Sequence, residues 1–154
     1  FSPVALQAGY PNKQWCTQNI QFNNIPINGN NTNDALYYDG YKSSKLIREE
    51  AEERGLTVPA FSYAYDCTVN MAEEVLHGYV ASLGQMYEMN INKAIVDDVI
   101  KALYGASAKL FSPLFTQNKW TSTQFSATNA WNFISSANNG GKSISRVVLP
   151  VYAC

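Results

Sequence analysis

The chain has 154 residues, 46% of them hydrophobic and 15% charged, with a formal net charge of −1. A near-neutral chain offers no basic footprint for nucleic acid, and no apolar run approaches the 18 residues that would span a bilayer. What remains is about one domain's length with enough apolar residues for an ordinary core.

Asn, Gln, Ser and Thr replace the missing charges, a composition common among secreted and surface proteins. The N-terminal stretch FSPVALQAGYP has no basic start and no long apolar segment, so it reads as already processed. Three cysteines are present, Cys16, Cys67 and Cys154. An odd count in a secreted chain leaves one over. Asn30-Asn31-Thr32 is an N-glycosylation sequon, which makes Asn30 a candidate acceptor. Together these features lean toward the secretory route, where disulfides persist.

Residues 1–33 hold three of the six prolines and the tract NNIPINGNNTND. Asn and Gly runs favour turns, so this segment is expected to be an arm on a single domain covering 34–154. Asn33 or Asp34 can cap a first helix that runs to Arg54. Tyr37, Tyr41, Ser44, Ile47 and Ala51 fall on one stripe of it, and Gly55 supplies a left-handed stop. TVPAFSYAYD, with Pro59 and alternating aromatics, reads as extended. Asp66 or Thr68 then opens a second helix, with Ala72, Val75, Leu76, Tyr79, Val80 and Leu83 as its buried stripe and Gly84 at its end. QMYEMNIN reads as a connector. A third helix follows from Asn92 to Leu110, its stripe being Ile95, Val99, Leu103, Ala106 and Leu110, and Pro113 stops it. Beyond that the period changes to that of strands, over 124–135 and 144–153, with NNGG at 138–141 as the turn between them. A hairpin needs more strands for stability, and PAFSY is the obvious internal supplier. Helices on both faces of a small antiparallel sheet is the natural packing for such elements.

Histidine chemistry has little to work with. His77 is the single histidine; it reads as a surface residue one turn after Glu73. A lone histidine makes a poor zinc site, and Cys67, ten residues upstream, would lie almost three turns away on one helix. The run Glu49, Glu50, Glu52, Glu53 reads as a solvated face with Lys45 and Arg48 as i,i+4 partners. Asp97 and Asp98 suit the dipole early in a helix. Most of the aromatics, among them Tyr37, Tyr38, Tyr41, Tyr63, Tyr65, Tyr79, Tyr87, Tyr104, Trp120 and Trp131, should be packing residues, with a subset able to line a groove for an apolar ligand or a partner. No phosphate loop, nucleophile elbow or HExxH occurs.

Several stretches do carry a resemblance. FSYAYDCTVNMAEE resembles the YDC helix start of nematode secreted members of the CAP superfamily, the group of cysteine-rich secretory proteins, antigen-5 allergens and plant pathogenesis-related proteins. LGQMYEMN looks like that family's GENLY segment, and KAIVDDVIKALYG sits where its next helix would be. TQFSATNAW, read as a strand, falls where HYTQMVW is expected. Phe125, Ser126 and Ala127 fill its aromatic, hydroxyl and small-or-amide slots, and Trp131 comes one residue late. REEAEERGLTVPAF resembles the AAGLPAF stretch of coccidian SAG surface antigens, which are similar to CAP proteins in fold.

The resemblance implies an α+β, three-layer αβα sandwich with a small antiparallel sheet. It also implies a cleft built around two histidines and two glutamates. Here Gln124 stands at the motif histidine and Gln85 at the GEN glutamate, and the first helix has no histidine. Neutral amides do not replace imidazole around zinc, so no metal, cofactor or catalytic residue is expected. Gln124 should then matter little for stability, and Trp131 should be a buried structural residue of a strand. The resemblance also favours a disulfide between Cys16 and Cys67, which leaves Cys154 unpaired or joined to something beyond these residues, such as a lipid-anchor region. The expected protein is a non-enzymatic parasite antigen, secreted or displayed on the cell surface, that binds a host partner or a small apolar ligand. The alternatives are a CAP-like hydrolase or metal-dependent enzyme with an atypical site, and a structural coat antigen of the coccidian type.

Overall fold

The structure, a computed structural model, describes residues 10–28 and 32–153. It is an α+β fold. Asn30 and Cys154 lie outside the described residues.

Chain order begins with strand β1 (Asn12–Gln14), helix α1 (Gly40–Arg54) and helix α2 (Pro59–Asp66). Three short strands follow, β2 (Thr68–Met71), β3 (Glu74–His77) and β4 (Tyr79–Val80), and then the long helix α3 (Leu83–Tyr104). A 3-10 turn at Ser112–Thr116 leads into β5 (Lys119–Gln124), β6 (Asn129–Phe133), β7 (Ala137–Gly141), β8 (Ser145–Val147) and β9 (Pro150–Val151).

The first helix starts later than its sequence suggests. Asp39 caps it, its carboxylate accepting from Lys42 N at 2.9 Å. Asp34 instead closes a local turn by accepting from Leu36 N, the ordinary competing use of a short acidic side chain. The expected stop holds: Gly55 sits at φ 64°, and its N–H reaches back to Ala51 O and Glu52 O.

PAFSY is helix, not strand. Pro59 occupies the first turn of α2, where a fixed φ and a missing N–H cost nothing. The segment expected as a second helix is instead a β2–β3 ribbon with register Thr68↔His77 through Met71↔Glu74. Ala72 takes a positive φ of 43° at its turn. Thr68, Val69 and Val75 are β-branched and suit a strand as well as a stripe. Gly78 lets the ribbon leave close to α2, since a Cβ there would sit 2.4 Å from Ala64 O.

The connector and the third helix are in fact one helix. Ser82 and Gln85 form a full capping box at the start of α3. Asp97 and Asp98 therefore lie in its middle, not its first turn. The stripe expected to be buried is not: Ile95, Val99 and Leu103 are exposed, whereas Leu83, Met86 and Ile100 face the core.

NNGG also departs from expectation, forming most of the edge strand β7. The sheet runs β1-β8-β5-β6-β7. It is mixed rather than antiparallel, because β5 and β8 pair in parallel. TQFSATNAW is not one strand: it spans the end of β5, the connection 125–128 and the start of β6.

Two buried clusters form. One gathers Leu83, Met86 and Ile100 of α3 with Phe111, Phe115, Phe133 and Val147. The other gathers Ile47 and Ala51 of α1 with Ala60, Phe61 and Ala64 of α2, and with Trp15, Phe22, Trp120 and Ala130. Val147, Val148 and Leu149 alternate between the clusters, as successive side chains on extended backbone must. Residues 10–28 are not peripheral: β1 pairs with β8, and Trp15, Cys16 and Phe22 are fully buried.

Candidate functional site

Gln124 ends β5 and is fully buried. Its Oε1 accepts from Phe22 N at 2.9 Å, and its Nε2 donates to Phe22 O at 3.0 Å and Ile25 O at 3.4 Å. A side-chain amide can mimic a strand's backbone in this way, offering one donor edge and one acceptor edge. Lys142, also fully buried, brings its ammonium to the same Oε1 at 2.5 Å and to Ile20 O and Ala127 O at 2.7 and 2.8 Å. Burial pushes the Lys142 pKa down to about 8, against an upward pull from Cys16 and Glu50. Gln124 is thus the centre of a structural network, contrary to the small role expected of it.

Gln85 has a different task. Its Oε1 accepts from Ser82 N at 3.0 Å and Gly40 N at 3.1 Å, tying the start of α3 to the start of α1. The two amides share no partner. The cavity that Gln124 borders, with Asp34, Ser43 and Ser122, has a volume of about 10 Å³, room for about one water.

The acidic candidates divide. Lys45 and Glu49 form the expected exposed i,i+4 pair at 3.8 Å. Glu50 is buried instead: it accepts from Asn23 N and Asn24 N and pairs with Arg54 Nη1 at 2.6 Å. Asp97 is buried and accepts from Phe111 N at 2.6 Å and Ser112 N at 3.1 Å. Burial raises its pKa, but the bonds from Ser112 and Phe111, with Lys101 nearby, outweigh this and lower it overall. Among the described residues no group of three or more His, Cys, Asp or Glu side chains is placed to hold a metal ion.

Cys16 and Cys67 are both free thiols; the disulfide implied by the resemblance is not formed. Cys16 is packed among the residues around Trp15. Cys67 follows α2 and bonds the Tyr63 side chain, which, after burial, helps push that phenol up to about 12. Trp131 lies in β6 as expected, but half-buried; its indole N–H donates to Asn28 O at 2.6 Å.

The accessible chemistry gathers on another face. Tyr41 and Arg48 lie seven residues apart on α1, two turns and hence one face. Tyr65 comes from α2, Glu74 and His77 from β3, and Tyr79 from β4. The His77 ring stacks on Tyr65 at 4.1 Å and 9°. The Arg48 guanidinium lies 4.0 Å from the same Tyr65 centroid. One face cannot hold both at that distance, so Tyr65 is sandwiched between them. Tyr41 and Tyr79 make a second, edge-to-face pair at 5.8 Å. His77 Nδ1 is 2.8 Å from Tyr65 O. A carbonyl only accepts, so that nitrogen carries the proton and Nε2 is left for other partners.

The Arg48–Tyr65 pair is the common wall of two clefts. One, of about 250 Å³, is bounded by Tyr41, Glu74, His77 and Tyr79. The other, of about 300 Å³, is bounded by Glu52, Leu56, Ser62 and Asp66. The individual tyrosines were candidates from sequence, but their convergence was not legible, because it depends on α2 being a helix and β3 a strand. No helix among the described residues is long and apolar enough to cross a membrane. Comparison with protein-family models, curated proteins and solved structures finds no significant match to this chain.

Proposed function

We propose that the protein is a non-enzymatic binding protein, secreted or displayed on the cell surface. It takes an aromatic or apolar group of a small ligand or host protein into the cleft beside Tyr65. The observation that carries this reading is the Arg48–Tyr65–His77 sandwich, which holds a rigid aromatic wall between two clefts at the surface. Aromatic walls with a few polar groups beside them are the usual means of orienting a ligand. Arg48 adds a cation for a ligand's carboxylate or ring face.

The reading includes a CAP-like αβα sandwich. Clusters dominated by different helices, drawing on alternating residues of the same strands, support that arrangement. The use of Gln85 in a helix cap and of Gln124 in a buried network supports a cleft converted to structural work. The low charge and the sequon at Asn30 support export.

The reading is tested by mapping amide chemical shifts while titrating indole and benzoate separately. Saturable shifts clustered on Tyr41, Tyr65, His77 and Tyr79, lost in Tyr65→Ala with the fold intact, are the expected result. Shifts scattered over the surface, or unchanged by Tyr65→Ala, would overturn it.

A further inference from the structure

We propose that the outer face of α3 is a self-association surface, on which two copies of the chain pair antiparallel about a two-fold axis. The face is defined by one row of large apolar side chains. Ile91, Ile95, Val99 and Leu103 recur every fourth residue, and they are 72%, 64%, 51% and 65% exposed. Single exposed apolar residues are normal on a monomer; a contiguous row of four marks a place where something packs. The opposite side of the same helix faces the core, with Met86, Asp97 and Ile100 buried.

Charge chooses the occupant and its direction. Exposed Glu88 lies seven residues before Ile95, and exposed Lys101 lies six after it. With Ile95 on the two-fold axis, antiparallel pairing brings Glu88 of each copy to Lys101 of the other. A parallel pair would set Glu88 against Glu88. The antiparallel pair is isologous, so one surface serves both copies and the assembly closes at two. It also brings Leu103 of one copy toward the Glu88 end of the other's α3. There an apolar groove of about 220 Å³ runs along Met89, Val96 and Phe111. One helix face and a groove give a contact at the small end of stable interfaces, so the dimer should be concentration-dependent.

The test is sedimentation equilibrium of the whole chain from about 1 to about 300 µM. Wild type is expected to move from monomer to dimer across that range. Ile95→Glu changes an exposed residue, so its circular dichroism should be unaltered and its dimer constant weakened at least tenfold. Glu88→Lys and Lys101→Glu should each weaken the dimer several-fold, and the double variant should recover most of the loss. Lys101 also acts on Asp97, so melting temperatures are recorded alongside; recovery in the double variant is not something an effect on Asp97 would produce. A chain monomeric throughout would overturn the proposal, even if it bound vesicles or another protein through this face. So would a dimer indifferent to Ile95→Glu, or a double variant weaker than both single ones.

Discussion

Lys142 Nζ lies 2.5 Å from Gln124 Oε1, and both side chains are wholly enclosed. The pair joins three distant segments, since Gln124 also bonds Phe22, and Lys142 also bonds Ile20 and Ala127. A buried ammonium is tolerated only where acceptors surround it, and here an amide and backbone carbonyls provide them.

Gln124→Ala should therefore be severe. It would leave Phe22 N, Phe22 O and the Lys142 ammonium each short of a partner. A buried orphan costs about 1–3 kcal/mol, so a loss of roughly 3–5 kcal/mol is expected, a large share of a domain's 5–15 kcal/mol. Urea unfolding measures it. A loss below about 1 kcal/mol would mean that the network contributes little.

Stability should rise with pH just above neutrality. Burial lowers Lys119 and Lys142 to about 8 each, while an unfolded lysine titrates near 10.4. Between these values the unfolded chain binds more protons, so unfolding free energy increases with pH. Below about 8 both states are protonated and the cost of the buried charges is felt in full. Above about 10 the gain levels off, and an opposing effect begins there. The Tyr63 phenol, raised to about 12, contributes stability that is complete below its unfolded value and is lost as pH climbs toward 12. From about pH 7.5 to 9.5 the two lysines should add roughly 2–4 kcal/mol. Lys142→Met should remove about half of that slope, and Lys119→Met offers the same reading should the first variant not fold. A flat profile for wild type would contradict the assignment.

The sequence announces some of this structure and hides the rest for identifiable reasons. The α+β class, the Gly55 stop and the placing of Trp131 in a strand follow from local pattern. The β2–β3 ribbon does not, because Ala72, Val75 and Leu76 fit helical spacing as well as they fit a strand. Pro59 reads as a breaker unless it is recognised as a helix's first residue, and Ser82-x-x-Gln85 is a capping-box pattern that marks the start of α3 in the sequence itself. The α3 stripe misleads in a more instructive way. A regular apolar row is taken for core, and here it faces outward. Buried lysines are invisible to any pattern, since lysine is the residue least expected inside. The Gln124–Phe22 bonds link residues 102 apart in the chain, so only the fold brings them together.

Cys16 and Cys67 should be found as separate thiols. Cys16 is wholly enclosed and Cys67 is partly accessible, and an enclosed thiol reacts only when the fold opens. Alkylation of the native protein should label Cys67 well before Cys16, with both labelled in urea. Cys154 is read from its own peptide. Recovery of a peptide joining Cys16 to Cys67 without reductant would refute this and restore the pairing implied by the family resemblance.

Trp131 offers a graded test of the sheet's outer half. Its indole meets Phe125 edge-on at 4.8 Å and 81°, and its N–H bonds Asn28 O across 103 positions of sequence. The ring is half-buried, so Trp131→Ala should cost about 2–3 kcal/mol, less than the 3–5 typical of an enclosed aromatic. Trp131→Phe keeps most of the ring contact and loses the hydrogen bond, and should cost about 1 kcal/mol. Both are read from urea midpoints at neutral pH. Equal losses for the two variants would assign the stabilisation to the Asn28 bond alone. A negligible loss for Trp131→Ala would show that this end of β6 is held by its strand pairing with β7 and not by the indole.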